Sequence, residues 1–169
     1  MTAPRGRTTA GVDTPGGLLA MRIAVGIDHA GGALRESVMQ VVRDGGHELV
    51  DLGECDDYPD IALIMGRAIA AGEVDRGILV CGSGAGVSVA ANKLPGIRAS
   101  VSHDHYTAAQ CITHDDCNVL CLGARVIGPA TAADLTVAFC TAQFSGEKRH
   151  VRRVGKILTM EREGMEASW

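Results

Sequence analysis

The sequence predicts an α/β fold in which a five-stranded parallel sheet carries helices on both faces. Short apolar runs alternate with longer helical stretches, which is the pattern of repeated strand and helix units. The chain is 46% hydrophobic but only 3% aromatic. Its core must therefore consist of valine, isoleucine, leucine and alanine, which are the side chains typical of a buried parallel sheet. At 169 residues the chain is long enough for one domain with a proper core.

Each predicted element follows from a local pattern. Residues 22–28 form a continuous apolar run, which predicts a first strand, and Gly45-Gly46 stops the helix that comes after it. The predicted strands are residues 22–28, 47–53, 77–81, 97–102 and 118–122. The predicted helices are residues 33–43, 60–71, a short helix after Gly86 that ends before Pro95-Gly96, residues 103 to about 113, 129–144 and a long final helix over 147–163.

We predict the strand order 2-1-3-4-5, which places a topological switch point between the first and third strands. Ligands of such sheets bind where the carboxyl ends of these two strands diverge, and those ends carry Asp28-His29 and Cys81. Residues 1–20 contain proline, glycine and threonine without periodicity, so we expect a disordered leader there. Residues 21–165 then form the single domain.

Charge and cysteine content limit the possible partners. A net charge of −4 provides no electrostatic footprint for nucleic acid or an anionic membrane. No apolar run approaches the ~18 residues of a membrane span. The six cysteines lack C-x-x-C spacing, which favours free thiols in a reducing cytoplasm. We therefore expect a cytoplasmic protein whose ligand is a small molecule.

The most informative stretch is Cys81-Gly82-Ser83-Gly84-Ala85-Gly86, which lies between an apolar strand and a run of small helix formers. Glycines at alternate positions let backbone amides approach a ligand, and the next helix directs its positive end to the same place. The stretch thus predicts an anion site beside a thiol. A cysteine at a helix N-terminus ionises readily enough to act as a base or nucleophile, although Cys81 can also be a buried packing residue.

We predict neither a cofactor nor a metal. Val87 stands where a dinucleotide fingerprint needs its third glycine. His103 and His105 point apart at a helix start, Asp104 fits an N-cap, and the pair Asp115-Asp116 fits a solvated loop. His114 is either a poised acid or base beside these carboxylates or a surface histidine.

One basic cluster follows the fifth predicted helix, over residues 148–153. Arg149 and Arg153 are four residues apart, so they share a helix face and can bind one phosphate together. The alternative is a solvated helix face. Two aligned arginines together with an anion loop suit a small phosphorylated metabolite.

Several motifs in fixed order resemble a known family. They are Ile27-Asp28-His29-Ala30-Gly31, Asp57-Tyr58-Pro59, Cys81 to Gly86, Ala90-Ala91-Asn92-Lys93, Gly96-Ile97-Arg98-Ala99, residues 118–128 and Arg149-His150-x-x-Arg153. Together they resemble type B ribose-5-phosphate isomerases, a family that includes galactose-6-phosphate and allose-6-phosphate isomerases. The resemblance extends from residue 21 to about residue 163.

The resemblance implies an aldose–ketose isomerase that interconverts D-ribose 5-phosphate and D-ribulose 5-phosphate through a metal-free cis-enediolate. It also implies a Rossmann-like three-layer sandwich that assembles as a homodimer or tetramer, with active sites at the subunit interface. An isomerase of another phosphosugar, such as a hexose 6-phosphate or a tetrose 4-phosphate, stays open as an alternative. A non-catalytic phosphosugar-binding protein on the same fold is a further one.

The resemblance also implies roles for individual residues. Cys81 matches the base of the cysteine branch of the family, because Val87 occupies the position where the other branch has a glutamate. The remaining matches are His114 as the ring-opening acid and base, Gly82, Ser83, Gly84, Ala85 and Gly86 as the anion-hole loop, Asp28 and His29 as substrate-binding residues, and Arg125, Arg149 and Arg153, with His29, as phosphate-binding residues.

Two of these positions carry open questions. Ser83 can hydrogen-bond the thiolate or the substrate, or it can cap the helix that follows. Asp115 stands where the family pattern has asparagine. Because an amide can donate to a sugar hydroxyl and a carboxylate cannot, we expect the substrate contact at Asp115 to differ from the family pattern.

Overall fold

The structure is a computed structural model that describes residues 20–169. Apart from Ala20, the predicted leader lies outside these residues. The strands are β1 (Arg22–Asp28), β2 (Glu48–Cys55), β3 (Arg76–Cys81), β4 (Ala99–Val101) and β5 (Val119–Gly123). The α-helices are α1 (Arg35–Asp44), α2 (Tyr58–Ala70), α3 (Ala85–Ala91), α4 (His105–Asp115), α5 (Pro129–Thr141) and α6 (Lys148–Glu163), with short 3₁₀ turns at Gly32–Leu34 and Gly164–Glu166.

The five strands form one parallel sheet between two helical layers, which confirms the predicted fold class. Alternate residues along each strand point to opposite faces. Ile78 and Val80 pack with α1, α4 and α5 in one core, whereas Leu79 and Cys81 pack with α2 and α3 in the other. Aliphatic side chains therefore fill both faces, as the composition predicts.

The predicted strand order is wrong for the last two strands. The observed order is β2-β1-β3-β5-β4, so β5 lies beside β3 and β4 is the edge strand. Burial explains the exchange. Every residue of β5 is buried, whereas β4 has only three residues and all of them are at least partly exposed. The switch point between β1 and β3 is unaffected, since Ile27 pairs with Val80 there.

The long final helix α6 contributes little to the core. Only His150 and Val154 of this helix are buried, while Val151, Ile157 and Met160 are exposed. One end of α6 lies beside the end of α4, because Ser145 N–H donates to the Thr113 carbonyl just before α6 begins. Near its other end, Glu161 accepts from the Gly96 amide at 2.7 Å. The helix thus runs along the edge of the sheet at which the strands begin, and it presents apolar side chains to solvent.

Between residues 20 and 169, no helix combines the length and the apolar character needed to cross a bilayer.

Candidate active site

A cleft of about 330 Å³ opens at the carboxyl edge of the sheet, where β1 and β3 diverge. Asp28 is the last residue of β1 and Cys81 is the last residue of β3, so adjacent strands bring both to the cleft. The cleft is lined by Asp28, His29, Ala30, Tyr58, Cys81, Gly82, Ser83, Gly86, Arg125 and Val126. This is the place that the switch point of the sheet predicts.

Cys81 lies in the wall of the cleft with only 4% of its surface exposed. The Gly84 N–H donates to Cys81 Sγ at 3.0 Å. A backbone donor directed at sulfur stabilises the thiolate more than the thiol, because hydrogen bonds to a charged acceptor are the stronger ones. The geometry therefore suits a cysteine that holds and releases a proton.

Two other buried cysteines, Cys121 and Cys140, are packing residues. Burial raises the pKa of the Cys140 thiol to about 12, and it also raises the pKa of Cys121. Cys121 is fully buried beneath the sheet face that α2 and α3 cover. These two thiols are protonated at neutral pH and act as small packing residues.

The glycine loop is tightly constrained by the end of β5. Gly84 has a φ of 78°, a left-handed conformation in which a side chain would be strained. A Cβ on Gly123 would lie 2.6 Å from the backbone carbon of Ser83, so β5 must present a glycine here. Ser83 Oγ accepts from the Ala85 N–H at 3.3 Å and thereby satisfies a backbone donor in the first turn of α3. Ser83 also lines the cleft, whereas the predicted substrate-binding residues Gly84 and Ala85 do not.

Asp28 and His29 are held by the backbone at the end of β1. Asp28 is 4% exposed, and its Oδ1 accepts from the Ala30 N–H at 2.8 Å. His29 Nδ1 lies 2.6 Å from the Asp56 carbonyl oxygen. Since a carbonyl only accepts, Nδ1 carries a proton, and Nε2 is the ring nitrogen that can meet a ligand.

Arg125 supplies the positive charge of the cleft. Its backbone N–H donates to the Gly82 carbonyl at 2.9 Å, and its guanidinium lies 3.5 Å from the position that a Cβ on Gly82 would occupy. The cleft thus combines a thiol, a carboxylate, an imidazole and a guanidinium.

Sequence reasoning assigned no role to Tyr58, which also lines the cleft. Its ring packs over Gly86, at 3.2 Å from the position of a Cβ on that glycine, and 44% of the residue is exposed. Tyr58 is the first residue of α2, a helix that begins at the carboxyl edge because it follows β2. An aromatic residue at that position, in a chain with only two tyrosines, was the signal that could have found it.

Four of the predicted site residues do not reach this cleft within one chain. His114, Asp115, Arg149 and Arg153 belong to the end of α4 and the start of α6, which lie at the opposite edge of the sheet. Gly77 pairs with Val119 at that edge, whereas Cys81 pairs with Gly123 at the cleft. Four residues of strand separate the two edges by about 13 Å. The predicted site residues therefore form two groups.

The second group is built around two stacked histidines. The ring centroids of His114 and His150 are 4.1 Å apart, with 28° between the ring planes. Arg149 pairs with Glu147 at 2.9 Å, and Arg153 follows one turn later on α6. We refer to His114, Asp115, Arg149, His150 and Arg153 as the second cluster.

The other histidines near α4 are bound to structural partners. His103 Nε2 accepts from the Gly123 N–H at 3.0 Å, while His105 Nδ1 lies 3.0 Å from an Asp134 carboxylate oxygen. Asp104 caps α4 by accepting from the Thr107 N–H at 2.8 Å, as predicted. Within residues 20–169, no three histidine, cysteine or acidic side chains are arranged to hold a metal ion.

The contact of His103 with Gly123 predicts an acid-sensitive fold. Burial lowers the pKa of His103 below its usual 6.5, against a smaller opposing effect of Asp104, and burial likewise lowers the pKa of His47 and His150. The unfolded chain then takes up protons before the folded chain does. The contribution of these histidines to the free energy of unfolding is therefore fully present above about pH 6.5, and it decreases as the pH falls below that value.

Urea unfolding at pH 7.5 and at pH 5.5 measures this effect. The variant His103→Gln keeps an acceptor for the Gly123 N–H but removes the titrating group, so we expect its midpoint to change less between the two pH values than that of the parent. An equal acid loss in both proteins would contradict the assignment to His103.

Comparison with known proteins places the chain among sugar-phosphate isomerases. A family model described as Ribose/Galactose Isomerase matches residues 23–157. The chain is 42% identical to ribose-5-phosphate isomerase B of Escherichia coli, over 83% of this chain and 96% of that protein. It is 35% identical to D-erythrulose-4-phosphate isomerase 2 of Mycolicibacterium smegmatis, over 85% of this chain and 99% of that protein.

A solved structure shows the same relation. The type B ribose 5-phosphate isomerase of Trypanosoma brucei superposes with a TM-score of 0.79 at 46% identity, covering 83% of this chain and 98% of the other. Similarity in sequence and in structure thus extends over nearly all of the residues that build both the cleft and the second cluster.

Proposed function

Since the chain belongs to the ribose/galactose isomerase family and is a sugar-phosphate isomerase, we propose that it interconverts D-ribose 5-phosphate and D-ribulose 5-phosphate. The observation that carries the proposal is the Cys81 thiol in the cleft wall, with the Gly84 N–H directed at its sulfur. A carbon acid needs a base held next to the reacting carbons, and this arrangement provides one.

In the proposed reaction Cys81 removes the proton from C2 of the open-chain aldose to give a cis-enediolate, the O2 hydroxyl proton passes to O1, and Cys81 returns its proton to C1. Negative charge then develops on the oxygens of C1 and C2. Fixed amides of the loop over Gly82 to Gly86, other than those of Gly84 and Ala85, which donate to Cys81 Sγ and Ser83 Oγ, suit stabilisation of that charge, because prealigned donors need no reorganisation during the reaction. Asp28 is placed to accept from sugar hydroxyls, and His29 Nε2 faces the ligand. No step requires a metal.

We propose that the second cluster completes the site of a second copy of the chain. His114 then opens the cyclic sugar, while Arg149 and Arg153 join Arg125 and His29 at the phosphate. Two observations support this assembly. The cluster and the cleft lie at opposite edges of one chain, and the α6 side chains Val151, Ile157 and Met160 are exposed beside the cluster. A twofold dimer pairs each cleft with its partner's cluster.

A tetrose 4-phosphate is the second candidate substrate. The similarity to D-erythrulose-4-phosphate isomerase 2 favours it. Pentose and tetrose phosphates place the same phosphate at different distances from the reacting carbons. The distance between the base and the phosphate-binding arginines in the assembled site therefore determines which of the two sugars is preferred.

The test is the isomerisation rate of purified protein with EDTA on ribose 5-phosphate, erythrulose 4-phosphate and galactose 6-phosphate. We expect the highest kcat/KM on ribose 5-phosphate and full activity in EDTA. A higher value on another sugar would transfer the proposal to that substrate. Loss of activity in EDTA would overturn the metal-free mechanism, and binding without turnover would indicate a sensor.

The free cysteines suit a reducing compartment, so we propose that the protein works in the cytoplasm.

The variant Arg153→Ala is expected to raise KM roughly ten- to hundredfold while kcat falls little, because a hydrogen bond to a charged group contributes about 1.5–3 kcal/mol. Phosphate binding acts on ground state and transition state alike, so its loss appears mainly in KM. Steady-state kinetics on ribose 5-phosphate measures both constants.

Arg152→Ala is the matched control for that variant, since Arg152 is the exposed neighbour of Arg153 but lies on another side of α6. Its KM should equal that of the parent. An unchanged KM in Arg153→Ala, or equal increases in both variants, would contradict the phosphate role of Arg153.

A further inference from the structure

Gln110 lies one helical turn before His114 on α4, and their side chains touch. Gln110 Nε2 is 2.7 Å from His114 Nδ1. An amide nitrogen carries two hydrogens and cannot accept, so it donates and Nδ1 accepts. A neutral imidazole has one proton, which must then be on Nε2. The contact therefore selects one of the two tautomers of His114.

His150 fixes the same ring from its face. It is 1% exposed, stacks on His114 at 4.1 Å, and its own Nδ1 lies 2.6 Å from Ser145 Oγ. Burial lowers the pKa of His150. His150 is accordingly an uncharged partner at neutral pH. With one face stacked and Nδ1 occupied, Nε2 is the atom of His114 that can act on a ligand.

We propose that Gln110 is a positioning residue that keeps the proton of the neutral His114 ring on Nε2, so that His114 meets the cyclic sugar as a proton donor. The inference rests on the proposed function for its consequence in ring opening. Gln110 itself stays away from the substrate, because its amide is engaged with Nδ1 on the far side of the ring.

The tautomer is measured directly by the ring ¹⁵N chemical shifts of protein labelled at histidine, with the His114 signals assigned by their loss in His114→Asn. We expect the parent at neutral pH to show a protonated Nε2 and an unprotonated Nδ1. The variant Gln110→Leu should show both tautomers. Gln110→Glu, whose carboxylate accepts, should move the proton to Nδ1. A parent protonated at Nδ1, or a tautomer unchanged in Gln110→Leu, would overturn the proposal.

The kinetic consequence separates ring opening from isomerisation. For the parent, the rate of ribose 5-phosphate conversion should rise in proportion to the enzyme concentration. Gln110→Leu should open the ring roughly tenfold more slowly, so its rate levels off towards that of spontaneous ring opening. Ribulose 5-phosphate has no ring of this kind, and its conversion should remain proportional in both proteins. Proportional rates for Gln110→Leu in both directions would also overturn the role.

Gln40→Leu is the matched control. Gln40 makes the same contact one turn along α1, where its Nε2 donates to Asp44 Oδ1 at 2.7 Å on an exposed surface. This variant should keep the tautomer of His114 and the parent kinetics. The ¹⁵N measurement needs no substrate. A protein with the expected tautomer but without ribose 5-phosphate activity would therefore overturn the proposed function and leave the positioning role supported.

Discussion

Replacing Cys81 by serine is expected to lower kcat on ribose 5-phosphate roughly 10²- to 10⁴-fold, which is the range that a general base contributes. The hydroxyl can still accept from the Gly84 N–H, which donates to Cys81 Sγ in the parent at 3.0 Å. The fold and the loop should therefore survive the exchange. What is lost is the thiol group, because the thiolate is the reactive form of cysteine and serine has no equivalent.

Cys55→Ser is the control for this prediction. Cys55 ends β2 at the same edge of the sheet, and its carbonyl accepts from the His29 N–H, so the exchange alters a neighbouring thiol without touching that hydrogen bond. The kcat of Cys55→Ser should stay within about twofold of that of the parent, because substitutions of partly exposed side chains outside the core and the site have small effects. Initial rates with EDTA measure both variants. Equal losses in the two, or none in Cys81→Ser, would rule out Cys81 as the base.

The layered fold could be predicted because local patterns determine it. Residues 22–28 are predicted as a strand and form β1, and each of the other predicted strands and α-helices is present with shifted ends. The exchange of β4 and β5 could not be predicted from the assumption that successive strands are neighbours. Which strand lies inside depends on burial against helices that are distant in sequence, and the fully apolar β5 takes the inner place.

The part of the site that lies at the carboxyl ends of β1 and β3 could be predicted from the sheet topology, whereas the rest could not. Asp28 and Cys81 end adjacent strands, so their meeting follows from the topology. Tyr58 stands at a helix start that the sequence indicates, but its contact with Gly86 depends on how α2 packs over the glycine loop. The contact of Gln110 with His114 has ordinary helical spacing, and its meaning depends on the His150 ring that α6 supplies. The division of the site residues between two edges became visible only with the strand register.

Because the site residues lie at two edges of the sheet, we expect two inactive variants to restore isomerase activity when they are expressed together. Cys81→Ala lacks the base, and a triple variant with His114, Arg149 and Arg153 all changed to alanine lacks the second cluster. If each site takes its base from one copy and its cluster from the other, a mixed dimer contains one intact site and one doubly defective site. Random pairing makes half of the dimers mixed, so co-expression should restore about a quarter of the parent activity per chain.

The control places all four substitutions on one chain and pairs it with Cys81→Ala, which leaves no copy with a base and should give no recovery. Isomerisation of ribose 5-phosphate at low substrate concentration measures each mixture, since the triple variant is expected to fail mainly in binding. If instead each cleft used the second cluster of its own chain, the first mixture would stay as inactive as its components. The about 13 Å of strand between Cys81 and the start of β5 argues against that outcome, because no side chain of the cluster spans it while α6 stays packed beside α4.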